Sequence, residues 1–342
     1  MFHYPEKVCL VQLASEGHVI LIDTLAVSDL TLLAPIFKDP SVMKIFHGGD
    51  FDVRSLYRDF QLEVENLFDT QIACRFLGET ETSLEALLRN YFGIQMEKKY
   101  QKSDWSERPL SDEMKEYAVG DVLYLKDLQV RLSEKLVQKN RLFWVKEECE
   151  RQANVRPQEE TDDYLFLRFK GAGRLKPKEL AVLEKLLCWR QEAALKTDRP
   201  PYRIVGNEAL MKLVAWPPAD RVGLQKSRVL SERQEERWGK QIMDRISDAR
   251  KIPSVRWPSY PRQARKVVSV KTKRRAEKLN KWRDDTAKKL EIPDASVIVN
   301  KSTLAKIAEL EPITLSTLKK VPGMRNWQIQ EFGQEWVDLL QG

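Results

Sequence analysis

Histidine and cysteine are scarce in this 342-residue sequence, which limits the metal sites that it can form. There are three histidines and four cysteines, and no two cysteines form a CxxC pair. This spacing predicts neither a zinc site nor a disulfide framework, so we expect reduced, buried cysteines at positions 9, 74, 149 and 188. Any metal chemistry would then rest on carboxylates, which favours Mg²⁺ or Mn²⁺ over zinc.

Long apolar runs are also lacking. No run of about 18 apolar residues is present, as a membrane span would require. Glu6, Lys7 and Gln12 lie where a signal peptide needs an apolar core. The sequence therefore predicts a cytoplasmic protein with no membrane partner, long enough for two or three domains of roughly 100 to 200 residues each.

The two parts of the sequence carry net charges of opposite sign. Residues 1–153 carry a net charge of −7 and the remainder carries +14. Residues 250–283 contain thirteen Lys or Arg and a single acid, Glu277. An ordinary solvated surface is one interpretation. We favour contact with the phosphates of a nucleic acid, through Arg262, Arg265, Lys266, Lys271, Lys273, Arg274 and Arg275.

The first part of the chain alternates strands with helices. Apolar runs at 8–14 and 19–22, separated by Ser15-Glu16-Gly17-His18, predict a hairpin. A buried strand at 42–46 lies between predicted helices at 30–37 and 51–60. Helical periodicity follows at 70–77, 83–92 and 111–136. This order predicts an α/β domain over 1–150.

The second part contains an internal repeat. Trp189-Arg190 recurs as Trp282-Arg283, and Trp238-Gly239 recurs as Phe332-Gly333, at offsets of 93 and 94 residues. Asn207 with Asn300 and Pro218 with Pro312 keep the same spacing. We therefore predict two all-α modules, at 168–250 and 274–342, joined by a basic, flexible linker at 251–273.

Two acidic motifs could carry chemistry. In His47-Gly48-Gly49-Asp50-Phe51-Asp52, a buried strand ends at a glycine pair and places Asp52 in the first turn of a helix, where a cleft forms in open α/β sheets. Tyr117 and Asp121 are four residues apart on one predicted helix face. Without further information, Asp52 could equally be a helix-capping acid, and Tyr117 with Asp121 an ordinary surface pair.

Longer stretches around these motifs resemble the ribonuclease D family of DEDD exonucleases, in its tyrosine subtype. Residues 2–13 are similar to the family's second strand, and Leu67–Ala73 to its Asp-Thr-Gln helix start. The segments 105–110 and 117–125 are similar to its third exonuclease motif. The two repeats resemble the helicase-and-RNase-D C-terminal (HRDC) domain, a helical nucleic-acid-binding module. The resemblance implies a ribonuclease H-like exonuclease domain followed by two HRDC domains.

Residue roles follow from this resemblance. Asp52 matches the acid of the family's second motif, Asp121 that of the third, and Tyr117 the tyrosine that orients the attacking water. His47 and Asp69 match supporting positions, and we expect Asp69 to cap its helix. Asp52, Tyr117 and Asp121 are therefore the predicted catalytic residues, and the two acids the predicted ligands of a pair of Mg²⁺ or Mn²⁺ ions.

The family's first motif has no match. Its Asp-x-Glu, which supplies two of four acids, lies in the family on the strand before the segment that matches 2–5. The family's sheet order 3-2-1-4-5 would therefore lack its central, first strand, and the exonuclease domain would be incomplete at its N-terminus. We expect a start placed too late, and impaired activity of the chain as it stands.

Two functions remain open on these grounds. One is a 3'-to-5' exoribonuclease that trims structured RNA ends, with tRNA precursors as the substrates that the resemblance implies. The other is a catalytically inactive exonuclease-like protein that only binds RNA, or single-stranded DNA. In either case we expect a monomer.

Overall fold

The computed structural model describes residues 2–96, 99–157, 164–261 and 268–341, and these residues form two compact units. One unit joins residues 1–7 to 158–265, and the other joins 8–157 to 266–342. Each unit encloses its own apolar core. The predicted domain over 1–150 therefore contributes its first seven residues to the unit that contains the first helical module.

Four short strands form two separate sheets in the larger unit. Strands β1 (Leu10–Ser15) and β2 (His18–Asp23) pair antiparallel, while β3 (Lys44–Phe46) and β4 (Leu67–Asp69) pair parallel. Glu16 and Gly17 both have positive φ, as a two-residue hairpin turn requires. Among the described residues, no ladder joins the two sheets.

In the described part of residues 8–157, seven helices accompany these strands. They are α1 (Ala34–Lys38), α2 (Asp50–Phe60), α3 (Thr70–Leu77), α4 (Leu84–Phe92), α5 (Asp112–Leu123), α6 (Leu125–Gln138) and α7 (Leu142–Ala153). Helix α1 follows a short 3-10 turn at Thr31–Leu33. Ser83 caps α4 and Ser111 caps α5 through hydrogen bonds from backbone amides to their side chains.

The prediction of a single helix at 111–136 is wrong, because the helix is interrupted at Tyr124, between α5 and α6. The two helices pack on different partners, α5 on the β1–β2 hairpin and α6 on α3. One straight helix cannot follow both surfaces. The predicted strand at 42–46 is also shorter than expected and begins at Lys44.

The smaller unit holds the first helical module, in which the long helices α8 and α12 pack together. Its helices are α8 (Pro177–Thr197), α9 (Pro201–Ile204), α10 (Asn207–Ala215), α11 (Arg221–Ser227) and α12 (Glu232–Arg250). Trp189 and Trp238 meet edge to face with ring centroids 5.9 Å apart. Buried Arg190 donates to the carbonyl of Val205 and to Asn207 Oδ1.

The second helical module repeats this arrangement with α13 (Val270–Lys289), α14 (Lys301–Ala308), α15 (Leu315–Leu318) and α16 (Asn326–Gln341). Trp282 Nε1 donates to Glu335 at 2.8 Å, as Trp189 Nε1 donates to Gln241 at 2.8 Å in the first module. Helix α13 begins at Val270, so the end of the predicted linker is helical. Arg262, Arg265 and Lys266 lie outside the described residues.

The second module packs against α7 within the larger unit. Trp327 stacks on Trp144 with ring centroids 4.8 Å apart. Arg325 pairs with Glu148 at 2.7 Å, and Glu147 accepts the backbone amides of Asn326 and Trp327 at 2.8 Å each. Glu147 thereby satisfies free N–H groups at the start of α16. The exonuclease-like region and the second module share one core.

The four cysteines form no disulfide bonds with one another, as predicted, but only Cys74 and Cys149 are buried. Cys9 and Cys188 are half-buried, so the prediction of burial is wrong for these two. No helix in the described part of the chain has the length and apolar character to cross a membrane.

Candidate active site

The loop between β3 and α2 places Asp52 at the site. Gly48 has a φ of +68°, and a Cβ on Gly49 would lie 2.8 Å from Phe46 Cβ, so a side chain fits at neither position. The chain turns sharply at these glycines and enters α2 at Asp50. Asp52 lies in the first turn, where the N-terminal end of the helix favours a carboxylate.

Asp69 holds this loop in place. Its carboxylate is fully buried and accepts the amides of Gly48 at 3.0 Å and Gly49 at 2.7 Å. It also accepts the amides of Gln71 and Ile72, which confirms the predicted helix cap, and the side-chain amide of Gln152 at 2.7 Å. The sequence indicated the cap alone. The bonds to the glycine loop come from tertiary folding and make Asp69 a positioning residue.

His47 lies beside the same loop. Its Nδ1 is 2.9 Å from Thr70 Oγ1, and the Thr70 hydroxyl donates to the carbonyl of Phe46. Burial lowers the pKa of His47, and the charge of Asp69 opposes this effect in part. His47 is therefore neutral near pH 7 and connects β3 to the start of α3.

Tyr117 and Asp121 reach the site from α5. The Tyr117 ring lies between two aromatic neighbours, with ring centroids 6.0 Å from Trp105 and 6.3 Å from Tyr100. A Cβ on Gly120 would lie 3.2 Å from Met96 Cε, so Met96 fills the space that this glycine leaves. The sequence did not single out Tyr100, because no periodic pattern connects it to Tyr117.

The structure places Asp121 close enough to Asp52 and to Tyr117 for the carboxylate charges to shift the pKa of a neighbouring group. Burial and the charge of Asp52 raise the pKa of Asp121 to about 6. Burial and the charge of Asp69 raise the pKa of Asp52. Burial and the charge of Asp121 raise the pKa of Tyr117, so its hydroxyl keeps its proton at neutral pH.

Two carboxylates whose charges repel each other suit a hard divalent cation, because a cation would relieve that repulsion. Two carboxylates are half of the four acids in the family's set. Across residues 2–96, 99–157, 164–261 and 268–341, no three His, Cys, Asp or Glu side chains cluster as a metal site would require. Asp52 and Asp121 thus fit as part of such a site, and the described residues do not supply the other acids of the family's set.

Comparisons with known proteins identify the domains of the chain and its family. A family model described as 3'-5' exonuclease matches residues 1–137, and the HRDC domain model matches 179–246 and 272–340. Ribonuclease D of Acidiphilium cryptum is 32% identical over 265 residues, covering 76% of this chain and 67% of that protein. The chain belongs to the ribonuclease D family.

Further ribonuclease D proteins match over almost the whole chain. That of Bartonella henselae is 27% identical over 349 residues, covering 98% of this chain and 81% of its own length. The solved structure of Escherichia coli RNase D has a TM-score of 0.74 at 22% identity, covering 100% of this chain and 90% of that one. This likeness concerns the fold. The two family models confirm the predicted order of one exonuclease domain and two HRDC domains.

Proposed function

We propose that this member of the ribonuclease D family removes nucleotides from the 3' end of RNA, with Asp52, Tyr117 and Asp121 at the reacting phosphate. The observation that carries the proposal is that the charge of Asp52 acts on Asp121 and the charge of Asp121 acts on Tyr117. Asp52 lies on α2, 65 positions before Tyr117 on α5. Structured RNA, tRNA precursors among them, is the substrate class that we propose.

Each side chain has a distinct part. Asp52 and Asp121 supply the negative charge that would hold divalent metal ions, which this kind of exonuclease uses to activate water and stabilise the departing oxygen. Tyr117 keeps its hydroxyl proton and can hydrogen-bond the attacking water. Asp69 fixes the glycine loop that leads into the helix carrying Asp52. Tyr100 and Trp105 limit the movement of the Tyr117 ring.

The test is release of mononucleotides from RNA labelled at its 3' end, with Mg²⁺ or Mn²⁺ and the full chain. Asp121→Asn should abolish release and leave RNA binding largely intact, because the basic modules lie elsewhere in the chain. Asp112→Asn is the matched control, since Asp112 is an exposed acid on the same helix. Equal release by both variants would contradict the assigned role of Asp121.

A role in RNA binding alone is the second candidate that the sequence leaves open. In that case the unaltered chain would bind RNA and release no nucleotide with either metal ion. Release that depends on metal and on Asp121 would exclude this candidate.

A further inference from the structure

A cavity of about 480 Å³ lies between α8 and α12 of the first HRDC domain. Its wall is apolar and is formed by Trp189, Ala193 and Trp238, all of them buried. Exposed Lys196, Arg237 and Gln241 form part of its rim. The volume is within the usual range for a small-molecule or single-nucleotide pocket.

The rim carries unneutralised positive charge. Glu192, the acid that lines the cavity, is paired with Arg245 at 2.8 Å. Lys196 and Arg237 form no ion pair with any residue that the structure describes. The cavity therefore presents two free cations beside an apolar wall.

Arg237 is held in a defined orientation. Its guanidinium lies over the Trp238 ring, 4.8 Å from the ring centroid. A planar guanidinium supported by an aromatic ring offers a flat face on which a nucleobase can stack. Gln241 Oε1 accepts from Trp189 Nε1 at 2.8 Å, which leaves its amide N–H groups free to meet a base or sugar acceptor.

The second HRDC domain differs at the same positions. Glu331 and Glu335 occupy the repeat positions of Arg237 and Gln241. Phe332, at the position of Trp238, packs against Trp144 of the exonuclease domain with ring centroids 5.9 Å apart. One copy of the repeat thus uses this region for contact within the chain and has replaced the cation by an acid. The other copy has kept a cationic pocket.

We infer that this pocket of the first HRDC domain binds an unpaired nucleotide of single-stranded RNA. The base stacks on Arg237 against the apolar wall, and a neighbouring phosphate lies on Lys196. The choice of RNA as ligand rests on the function proposed above, while the position and the unpaired state of the nucleotide rest on the pocket alone.

The test measures binding of a labelled single-stranded RNA 12-mer to the full chain by fluorescence anisotropy, with EDTA present so that the RNA is not degraded. Arg237→Glu, which introduces the residue type found at position 331, should weaken binding about ten-fold. Arg233→Glu is the matched control, because Arg233 is exposed on the same helix and does not line the cavity. It changes the net charge equally, and we expect less than about a three-fold loss.

A second comparison isolates the base from the phosphate. An oligomer with abasic sugars should bind the unaltered chain about ten-fold more weakly than the intact RNA, and this difference should disappear in Arg237→Glu. Equal losses from Arg237→Glu and Arg233→Glu would overturn the pocket and leave the proposed exonuclease function standing, since RNA binding would persist. Failure of the unaltered chain to bind RNA would overturn both.

Discussion

Asp121 has a pKa of about 6 because it is buried beside the charge of Asp52. The two residues belong to different helices, with Asp52 in the first turn of α2 and Asp121 in α5. Keeping two carboxylates together in this way costs folding free energy in the absence of a cation. The cost indicates that the pairing serves a purpose other than stability.

The first prediction concerns stability against pH in the metal-free protein. The folded-state pKa of Asp121 is raised above its ordinary value of 3.8, so the unfolded chain loses this proton first as pH rises. The free energy of unfolding should therefore fall between about pH 4 and pH 6 and stay lower above that range. Asp121→Asn should raise the stability by about 1 to 2 kcal/mol at pH 7.5, allowing for solvent screening, and by almost nothing at pH 4.

Thermal unfolding in EDTA at both pH values measures this difference. A gain of about 2 to 4 °C in Tm is expected for each kcal/mol in a unit of this size. A gain at pH 4 as large as that at pH 7.5 would show that the effect does not come from ionisation of Asp121.

The second prediction concerns the tyrosine hydroxyl. Tyr117→Phe keeps the ring beside Tyr100 and Trp105 and removes only the hydroxyl that we propose binds the attacking water. We expect kcat to fall by roughly 10- to 100-fold, less than for Asp121→Asn, and KM to change little. Tyr124→Phe, at the end of the same helix, should leave both constants unchanged in steady-state measurements of nucleotide release. A higher KM with normal kcat would instead assign Tyr117 to substrate binding.

The third prediction separates positioning from chemistry at Asp69. Gly48 and Gly49 donate to different oxygens of the Asp69 carboxylate, so Asp69→Asn would place an N–H donor against one of these two amides. We expect a loss of about 2 to 4 kcal/mol in local stability, because buried donors would be left without acceptors. Hydrogen exchange of the peptide covering 46–52 should accelerate accordingly. Asp29→Asn, at an exposed turn, should leave the exchange of that peptide unchanged.

The fourth prediction concerns the basic start of α13. Lys271 and Arg275 both pair with Glu311, whereas Lys273 and Arg274 have no ion pair within the described residues. Replacing Lys273 and Arg274 by alanine should weaken RNA binding. The slope of log K against log salt should fall by the amount expected for the loss of about two phosphate contacts. Lys271→Ala should have the smaller effect per charge, since Glu311 already neutralises it. Equal slopes of log K against log salt for the unaltered chain and the double variant would contradict phosphate contact at this helix.

Local patterns in the sequence predicted much of the fold. The hairpin, the helix at Thr70–Leu77 and the Asp69 cap depend on neighbouring residues, and all three are confirmed. The break at Tyr124 was missed because it depends on what α5 and α6 pack against. Proximity of Asp52 to Asp121 was predicted only through the family resemblance, since no local pattern connects positions so far apart.

Contacts between distant segments were the least predictable. The sequence placed the second helical module behind a flexible linker, and nothing in its periodicity indicated that Trp327 would stack on Trp144. Tyr100 was missed for the same reason. Apolar periodicity shows which face of a helix is buried, but it does not show which segment covers that face.

The second HRDC domain packs so closely against the end of α3 that only glycine fits at Gly78, where a Cβ would lie 2.0 Å from the carbonyl oxygen of Glu291. A premature stop codon after residue 157 would remove that neighbour, the stacking partner of Trp144 and the ion pair of Glu148 together. The truncated product would expose tryptophan to water and become a target for aggregation or degradation. A substitution that unfolds the second HRDC domain should therefore also destabilise the exonuclease domain, because the two share one core.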